Sequence, residues 1–206
     1  IWAIWRICER SGESMKEMTF SEAISDATVL ALEKNPSVYL LGIGLDYSSG
    51  VFGTTSAAHQ AFGSTRVLDT PAMENALTGI AAGASLCGMR PVVVHARNDF
   101  MLLSLDQIFN VLFKWYYMYN GNASSMPVVM RAIIGRGWGQ GASHSQSIQS
   151  IVAHFPGIRV VMPSNPQDAK GMFLAAIEGP DPVLILEHRN LYSVRGPVEE
   201  GWSATS

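Results

Sequence analysis

Short apolar runs alternate with helical segments along the whole chain. The runs are apolar at almost every position and rich in Val, Ile and Leu: SVYLLGIGL, RVLD, PVVVH, PVVMRAII, IRVVMPS and PVLILEH. A strand that is apolar throughout is buried on both faces, which is typical of a parallel sheet covered by helices. The sequence therefore predicts an α/β fold, a three-layer sandwich with a mainly parallel central sheet and helices on both faces.

Helical periodicity separates these runs. Apolar residues recur at helical spacing from Thr19 to Lys34, and Thr19 or Ser21 would be the N-cap. A long helix is predicted from about Leu102 to Tyr119, and the Asn-Gly pair after it would end it. Three more helices are predicted in the segments AAHQAFG, SIQSIVAHF and PQDAKGMFLAAIEG.

One further helix, in the segment DTPAMENALTGIAAGASLCG, carries a single acid. Thr70 suits the N-cap and Pro71 the first helical position, so that Glu74 would lie in the first turn, where the helix dipole favours a carboxylate. The remaining residues are small or apolar, and Gly88 would end the helix. Glu74 is either a placed functional acid or a surface glutamate that the dipole favours.

Composition limits the classes of function. The 206 residues suffice for one domain, with 48% apolar and only 15% charged residues. So few charges predict a surface that a partner covers in part. The net charge of −3 gives no electrostatic reason to expect nucleic acid or anionic membrane as a ligand. No apolar run reaches the roughly 18 residues that span a bilayer.

The cysteines and the N-terminal segment give little information about function. Cys8 and Cys87 form neither a disulfide framework nor a zinc motif, and Cys87 is predicted to be buried in an apolar helix. The opening IWAIWRICERSGES shows no signal-peptide pattern, and Met15 is a plausible natural start. We interpret residues 1–14 as an N-terminal extension or upstream sequence, and we expect an intracellular location.

Chemistry-bearing residues cluster in the loops that follow strands, and in a parallel sheet these loops meet at one edge. His144 lies in the glycine-rich loop GRGWGQGASHSQS, where it would transfer protons or merely hydrogen-bond the loop. His95 ends another strand, and Arg97, Asn98 and Asp99 follow it; these residues would either line the same crevice or cap the sheet. His188 ends the last strand, and the sequence does not distinguish a functional role from a structural one for it.

Several motifs are missing from the sequence. It contains no GxGxxG or P-loop, no HExxH or other close spacing of metal ligands, and no GxSxG of a serine hydrolase. It also lacks a GDG followed by an Asn pair, the pattern that brings a magnesium diphosphate to a protein. No metal site is predicted in this chain.

From about Met15 to Gly201 the chain resembles the pyrimidine-binding, transketolase-like domain of the beta subunits of thiamine-diphosphate-dependent 2-oxoacid dehydrogenases, of the pyruvate, branched-chain and acetoin types. The matching stretches occur in the family's order and with nearly its spacing. They are MTFSEAI, GVFGTT, FGSTRVLDTPAMENALTGIAAGASLCGMRPVV, LDQIFN, YYMYNGN, HSQS, HFPGIRVVMPSNPQDAKGMFLAAIEGPDPVLILEH and LYSVRGPVEEG.

The resemblance implies thiamine diphosphate as cofactor and assigns roles to four residues. Glu74 matches the glutamate that hydrogen-bonds the aminopyrimidine ring nitrogen and so activates the cofactor. Phe100 matches the aromatic residue against the pyrimidine ring, and the backbone of Ala72 would face the same pocket. His144 matches the histidine that handles protons of the substrate and the acyl acceptor. The implied reaction is decarboxylation of a 2-oxoacid with acyl transfer.

The resemblance also implies a partner. In this family an alpha-type subunit holds the diphosphate and Mg²⁺, in an alpha2beta2-like hetero-oligomer of the bacterial cytoplasm or an organelle matrix. The missing GDG motif agrees with a half-site in this chain. Gly79 and Gly83 would allow close helix approach at the subunit seam, or else serve ordinary packing within the domain.

The sequence departs from the family pattern at three places. The family continues past GPVEEG into a C-terminal transketolase domain, so we interpret residues 15–201 as the pyrimidine-binding domain with that second domain absent. Ile43 stands where the family has a glutamate near the cofactor. His95, Arg97 and Asn98 replace apolar residues before Phe100 and, with Gln146 of the HSQS motif, would form a polar, cationic substrate pocket.

These departures predict a substrate other than pyruvate or a branched-chain oxoacid, one with an extra hydroxyl or anionic group. They also keep two alternatives open. One is a transketolase-like subunit that transfers carbon–carbon units. The other is a non-catalytic scaffold subunit that retains the fold, although a scaffold has no need of both Glu74 and His144.

Overall fold

The computed structural model describes residues 14–121 and 126–204. Eight strands are found in these residues: β1 Met15–Thr19, β2 Val38–Gly42, β3 Val67–Asp69, β4 Arg90–His95, β5 Val129–Ile134, β6 Arg159–Val161, β7 Val183–His188 and β8 Arg195–Glu199. The α-helices are α1 Phe20–Lys34, α2 Gly50–Gly53, α3 Ser56–Phe62, α4 Glu74–Leu86, α5 Asn98–Met101, α6 Trp115–Met118, α7 Gln149–Ala153 and α8 Pro166–Glu178.

Six of the strands form a parallel sheet in the order β3-β2-β4-β5-β7-β6. Successive side chains of these strands enter two different hydrophobic clusters. Val92 and Val94 pack on the side of α1, α3 and α8, whereas Val93 packs on the side of α4 and α7. The predicted three-layer α/β architecture is therefore confirmed.

A second sheet was not predicted. Strands β1 and β8 pair antiparallel, outside the main sheet. Buried Lys170 of α8 anchors this pair because its ammonium group donates to the Glu199 carbonyl and forms an ion pair with Asp26, both at 2.7 Å. The strands escaped prediction since β1, with the sequence MKEMT, is short, mostly exposed and mostly polar.

The start of α4 was predicted wrongly. The helix begins at Glu74, with Met73 as N-cap, rather than at Pro71. Thr70 does not cap it, because both its backbone N–H and its hydroxyl donate to the Gly42 carbonyl at 2.9 Å. These bonds hold the chain across the end of β2, so Glu74 still lies in the first turn, as predicted.

The long helix predicted after β4 is divided into four short helical segments in the structure. It begins earlier, with α5, and continues as a 3₁₀-helix (Leu102–Ser104), a π-helix (Gln107–Leu112) and α6. Next to the break after the π-helix, the Gly157 backbone lies so close to the Phe113 carbonyl that a Cβ there would be 2.2 Å from its oxygen. The chain then turns at Asn120 and Gly121, both with positive φ, where the sequence predicted the end.

Two other predictions concern the burial of Cys87 and the N-terminal segment. Cys87 is exposed and not buried, because it lies at the C-cap of α4, where the helix reaches the surface. The interpretation of residues 1–14 as an extension concerns a segment that, except for Ser14, lies outside the described residues. None of the described helices is both long and apolar enough to cross a lipid bilayer.

Candidate functional site

A cleft of about 450 Å³ opens at the carboxyl ends of β2 and β4. Three chain segments form it: the loop after β2, the start of α4, and the end of β4 with α5. The lining residues are Ile43, Ala72, Glu74, Leu77, Val94, His95, Ala96, Arg97, Phe100 and Leu103. The structure therefore brings five of the eight predicted site residues to one cleft, which we call the acid cleft.

Among the described residues, Glu74 is the only carboxylate that lines the acid cleft. It is 8% exposed, and apolar Ile43, Leu77 and Val94 lie among the residues around it. Within the described segments no donor is hydrogen-bonded to its carboxylate; only its backbone carbonyl is engaged, by the Thr78 hydroxyl at 3.0 Å. A buried carboxylate in an apolar wall without a protein partner is available to a ligand.

Phe100 and His144 meet at the rim of this cleft. Phe100 is 39% exposed, and its ring contacts the imidazole of His144 edge-on, with ring centroids 5.1 Å apart. The Nδ1 of His144 lies 3.1 Å from the Ser143 hydroxyl, and its backbone N–H donates to the Gly141 carbonyl at 3.3 Å. His144 itself does not line the cleft, but it contacts Phe100, which lines the cleft together with Glu74.

His95 adds polarity but no charge to the acid cleft. It is 4% exposed, and burial lowers its pKa to about 4. The imidazole is therefore neutral at pH 7, and the cationic pocket predicted from the sequence receives no charge from it. Its Nε2 has no hydrogen-bond partner among the described residues, so one polar atom remains free for a ligand.

Asn98 and Gln146 lie outside the cleft lining. The Asn98 amide donates to the Gln146 carbonyl at 3.0 Å, and the Gln146 N–H donates to Asp99 at 3.2 Å. Asn98 and Asp99 thus tie α5 to the segment after His144. Asp99 was expected to line the crevice or cap the sheet, but its bond to the Gln146 N–H was not predicted, because a hydrogen bond to a distant backbone amide leaves no motif in the sequence.

The glycine-rich loop approaches His188 closely. Gly135, directly after β5, has φ +114, and a Cβ there would lie 2.9 Å from the His188 ring. Only glycine meets both requirements at this position. His188 is thereby placed beside the backbone of the glycine-rich loop, and its Nδ1 accepts from the Asn190 N–H at 3.3 Å.

No group of three or more His, Cys, Asp or Glu side chains in residues 14–121 and 126–204 could hold a metal ion. The acid cleft therefore offers one carboxylate, one neutral imidazole, one guanidinium and apolar walls. Such a surface suits a flat, neutral heteroaromatic ring with polar edge atoms rather than a metal or a polyphosphate.

Residues 16–195 match the profile of the family described as transketolase, pyrimidine binding domain. The chain belongs to this family. Glu74, Ala72 and Phe100, to which the resemblance assigned roles in cofactor binding, all line the acid cleft, and those roles stay predictions.

Curated relatives are similar over most of the chain. The acetoin:2,6-dichlorophenolindophenol oxidoreductase subunit beta of Cupriavidus necator is 40% identical over 196 residues, which is 90% of this chain and 57% of that protein. The 2-oxoisovalerate dehydrogenase subunit beta of Bacillus subtilis is 39% identical over 185 residues, 89% of this chain and 56% of that one. The chain thus spans slightly more than half the length of these relatives.

A solved structure shares the fold. The split gene transketolase solved as an inactive beta4 tetramer superposes with a TM-score of 0.66 at 24% identity, over 84% of this chain and 52% of that one. The transketolase-type fold that the sequence predicted is therefore confirmed.

Proposed function

We propose that this domain supplies the pyrimidine half of a thiamine diphosphate site in a beta-type subunit that decarboxylates a 2-oxoacid and passes on the acyl group. The observation that supports this proposal most strongly is the acid cleft, in which a buried Glu74 carboxylate without a partner among the described residues lies beside an exposed Phe100 ring. The names of the relatives, oxidoreductase and dehydrogenase subunits, favour this function over carbon–carbon transfer or a scaffold.

The residues of the acid cleft fit the pyrimidine ring. Glu74 would hydrogen-bond a ring nitrogen and share a proton with it, Phe100 would lie against the ring face, and the Ala72 backbone would close the pocket. When bound, thiamine diphosphate supplies a carbon nucleophile for the 2-oxoacid and an electron sink for the loss of carbon dioxide. The apolar walls exclude water, which strengthens the hydrogen bond of Glu74.

The remaining predicted residues would act on the substrate or on the loop. His144, at the rim, would donate and accept protons at the substrate, and neutral His95 would offer one hydrogen bond inside the cleft. Arg97 would supply positive charge. We assign Asn98 and Gln146 a positioning role, because their mutual hydrogen bond holds the loop that carries His144.

A partner subunit would complete the site with the diphosphate and Mg²⁺. Support comes from the names of the relatives, which are beta subunits, and from the surface of α4. Ile80 is 56% exposed on this helix, and a Cβ at Gly83 would meet nothing within 4 Å. Gly79 instead packs inside the domain, since a Cβ there would lie 3.2 Å from the Gln107 side-chain oxygen.

The test is Glu74→Gln in the complex of this chain with its co-purified partner. We expect at least a 100-fold loss of 2-oxoacid-dependent reduction of 2,6-dichlorophenolindophenol in the presence of thiamine diphosphate and Mg²⁺, because the amide cannot hold the proton. The readout is steady-state turnover, and size-exclusion chromatography checks that the complex still assembles.

The matched control is Glu33→Gln, which removes one exposed carboxylate from α1 on the other face of the sheet. This variant should retain wild-type turnover. If an assembled Glu74→Gln complex keeps full activity, the catalytic function is wrong. A wild-type complex that binds thiamine diphosphate but turns over no 2-oxoacid would contradict the proposed reaction while leaving the cofactor site intact.

A further inference from the structure

A second cleft, also of about 450 Å³, lies beside the acid cleft and shares Arg97 with it. We call it the arginine cleft. It is formed by four segments: the loop after β2, the segment after β4 that carries Arg97, the glycine-rich loop after β5 and the turn after β7. The lining residues that matter here are Phe52, Arg97, Trp138, Gln140, Arg189 and Ser193. Two guanidinium groups therefore reach one cavity from different strand ends.

Arg97 is buried but only partly satisfied. Its side chain is 6% exposed, and its Nη2 donates to the Gln140 side-chain oxygen. Its Nη1 has no hydrogen-bond partner among the described residues, and neither has the buried Nε1 of Trp138, whose ring centroid lies 4.8 Å from the guanidinium carbon. Buried donors without a partner are costly, so their persistence at a cleft points to a ligand.

Arg189 is half-buried at the other side of the cleft. Its guanidinium carbon lies 4.5 Å from the centre of the Phe52 ring and 5.1 Å from that of Tyr192, and the Arg97 guanidinium lies 5.2 Å from the same Phe52 ring. Phe52 and the preceding Val51 both have positive φ, 57° and 34°. Two consecutive non-glycine residues in this region are strained, and such strain concentrates at binding sites.

In the described part of the chain, no carboxylate pairs directly with either of these two cations. Neither arginine forms an ion pair within residues 14–121 and 126–204, and Asp99, the carboxylate that acts on Arg97, already accepts from Asn98 and the Gln146 N–H. Burial lowers the pKa of Arg97, and the neighbouring Arg189 lowers it further, against the opposing effect of Asp99. The cleft thus concentrates positive charge that no ion pair among the described residues compensates.

We propose that the arginine cleft binds an oxyanion, the carboxylate or phosphate at the far end of a substrate whose reacting carbonyl lies in the acid cleft. A guanidinium presents a planar fork of donors that matches both anions. The flanking Phe52 and Trp138 rings limit hydration of the guanidiniums, and Ser193 and Gln140 add neutral polar groups. This inference rests on the proposed function for the identity of the ligand, but not for the binding of the anion.

The first experiment measures anion binding alone. Isothermal titration of the assembled complex, without thiamine diphosphate, uses two probes: inorganic phosphate and glutarate, a dicarboxylate. We expect saturable binding of at least one probe. Arg189→Gln and Arg97→Lys should each weaken it at least tenfold, because each replaces a forked cationic donor. Arg136→Gln, which removes an exposed arginine of the same glycine-rich loop outside this cleft, is the matched control and should bind as wild type.

The second experiment uses steady-state kinetics to determine whether the anionic group of the preferred substrate is a carboxylate or a phosphate. Turnover of pyruvate is compared with that of 2-oxoglutarate, which carries a distal carboxylate, and of fructose 6-phosphate, which carries a distal phosphate. Arg189→Gln should lower kcat/KM for the preferred anionic substrate, relative to that for pyruvate, at least tenfold through a higher KM. Arg136→Gln should leave this ratio unchanged.

The outcomes separate the two proposals. If wild type binds neither phosphate nor glutarate, or if Arg136→Gln weakens binding as much as Arg189→Gln, the anion site is wrong whatever the activity of the complex. If the anion binds and depends on Arg97 and Arg189 while Glu74→Gln remains fully active, the site stands and the proposed reaction fails.

Discussion

Two buried arginines on neighbouring strand segments of the sheet have opposite electrostatic surroundings. Arg131 of β5 is 1% exposed and binds Glu187 of β7 through two nitrogens, at 2.5 and 3.0 Å. Arg97, after β4, is 6% exposed and has no carboxylate partner among the described residues. Each leaves its Nη1 without a hydrogen-bond partner, so the two differ in charge compensation rather than in the number of free donors.

The pKa values of the two arginines move in opposite directions. Burial by itself lowers the pKa of Arg131, but the charge and hydrogen bonds of Glu187 outweigh it, and the pKa ends above its ordinary value. For Arg97 burial and Arg189 together leave the pKa below its ordinary value. A paired charge belongs to the framework of the sheet, whereas an unpaired charge is available to a ligand.

The largest expected effect is on the free energy of unfolding, and it distinguishes the ion-paired Arg131 from the unpaired Arg97. Arg131→Met leaves the Glu187 carboxylate buried without its cation and should lower the free energy of unfolding by about 3–5 kcal/mol. Arg97→Met removes a charge that has no counter-ion and should cost no more than about 1 kcal/mol. Urea denaturation of the purified protein, followed by tryptophan fluorescence, measures both. Equal losses would show that Arg97 is as structural as Arg131.

A second prediction extends the comparison to His95, a buried base that is neutral instead of charged. Its folded pKa of about 4 lies below the ordinary value of 6.5, so the unfolded chain binds the proton more readily. The stability is complete above pH 6.5 and is lost as the pH falls towards 4, by about 2 kcal/mol between pH 7.5 and pH 5. Urea denaturation at the two pH values measures this loss.

His95→Leu should reduce that pH dependence by the same amount, because it removes the titrating group. His154→Gln, which replaces an exposed histidine next to α7, serves as the control and should leave the dependence as it is in wild type. A pH dependence that is identical in wild type and His95→Leu would contradict the buried neutral imidazole.

The smallest effect is expected for a surface ion pair. Lys34 and Glu178 lie 3.3 Å apart, with side chains 54% and 50% exposed. Solvent and salt screen this pair, so Glu178→Gln should change the free energy of unfolding by less than about 0.5 kcal/mol. The same urea titration measures it, and a loss comparable with that of Arg131→Met would mean that burial does not set the value of a charge pair here.

The order and type of the main elements could be predicted from local sequence patterns. The runs around Leu40, Val93 and Leu184 are apolar on both faces, and only a sheet covered by helices on each side buries them, which is a local property of the chain. Thr19, one of the two predicted N-caps, does cap α1, and the capping box that it forms with Glu22 is local because the two residues are three positions apart. Glu74 was recognisable as a lone acid at a strand end for the same reason: its signal is local.

Which of these residues come into contact depends on the folded chain as a whole. That α4 begins at Glu74 follows from the bonds of Thr70 to Gly42, and the neutral state of His95 follows from the elements packed around it. The arginine cleft depends on the adjacency of segments that follow four different strands, so Arg97 and Arg189 line one cavity although they are far apart in the sequence. Burial and charge compensation are sums over such distant contacts, and no local pattern encodes them.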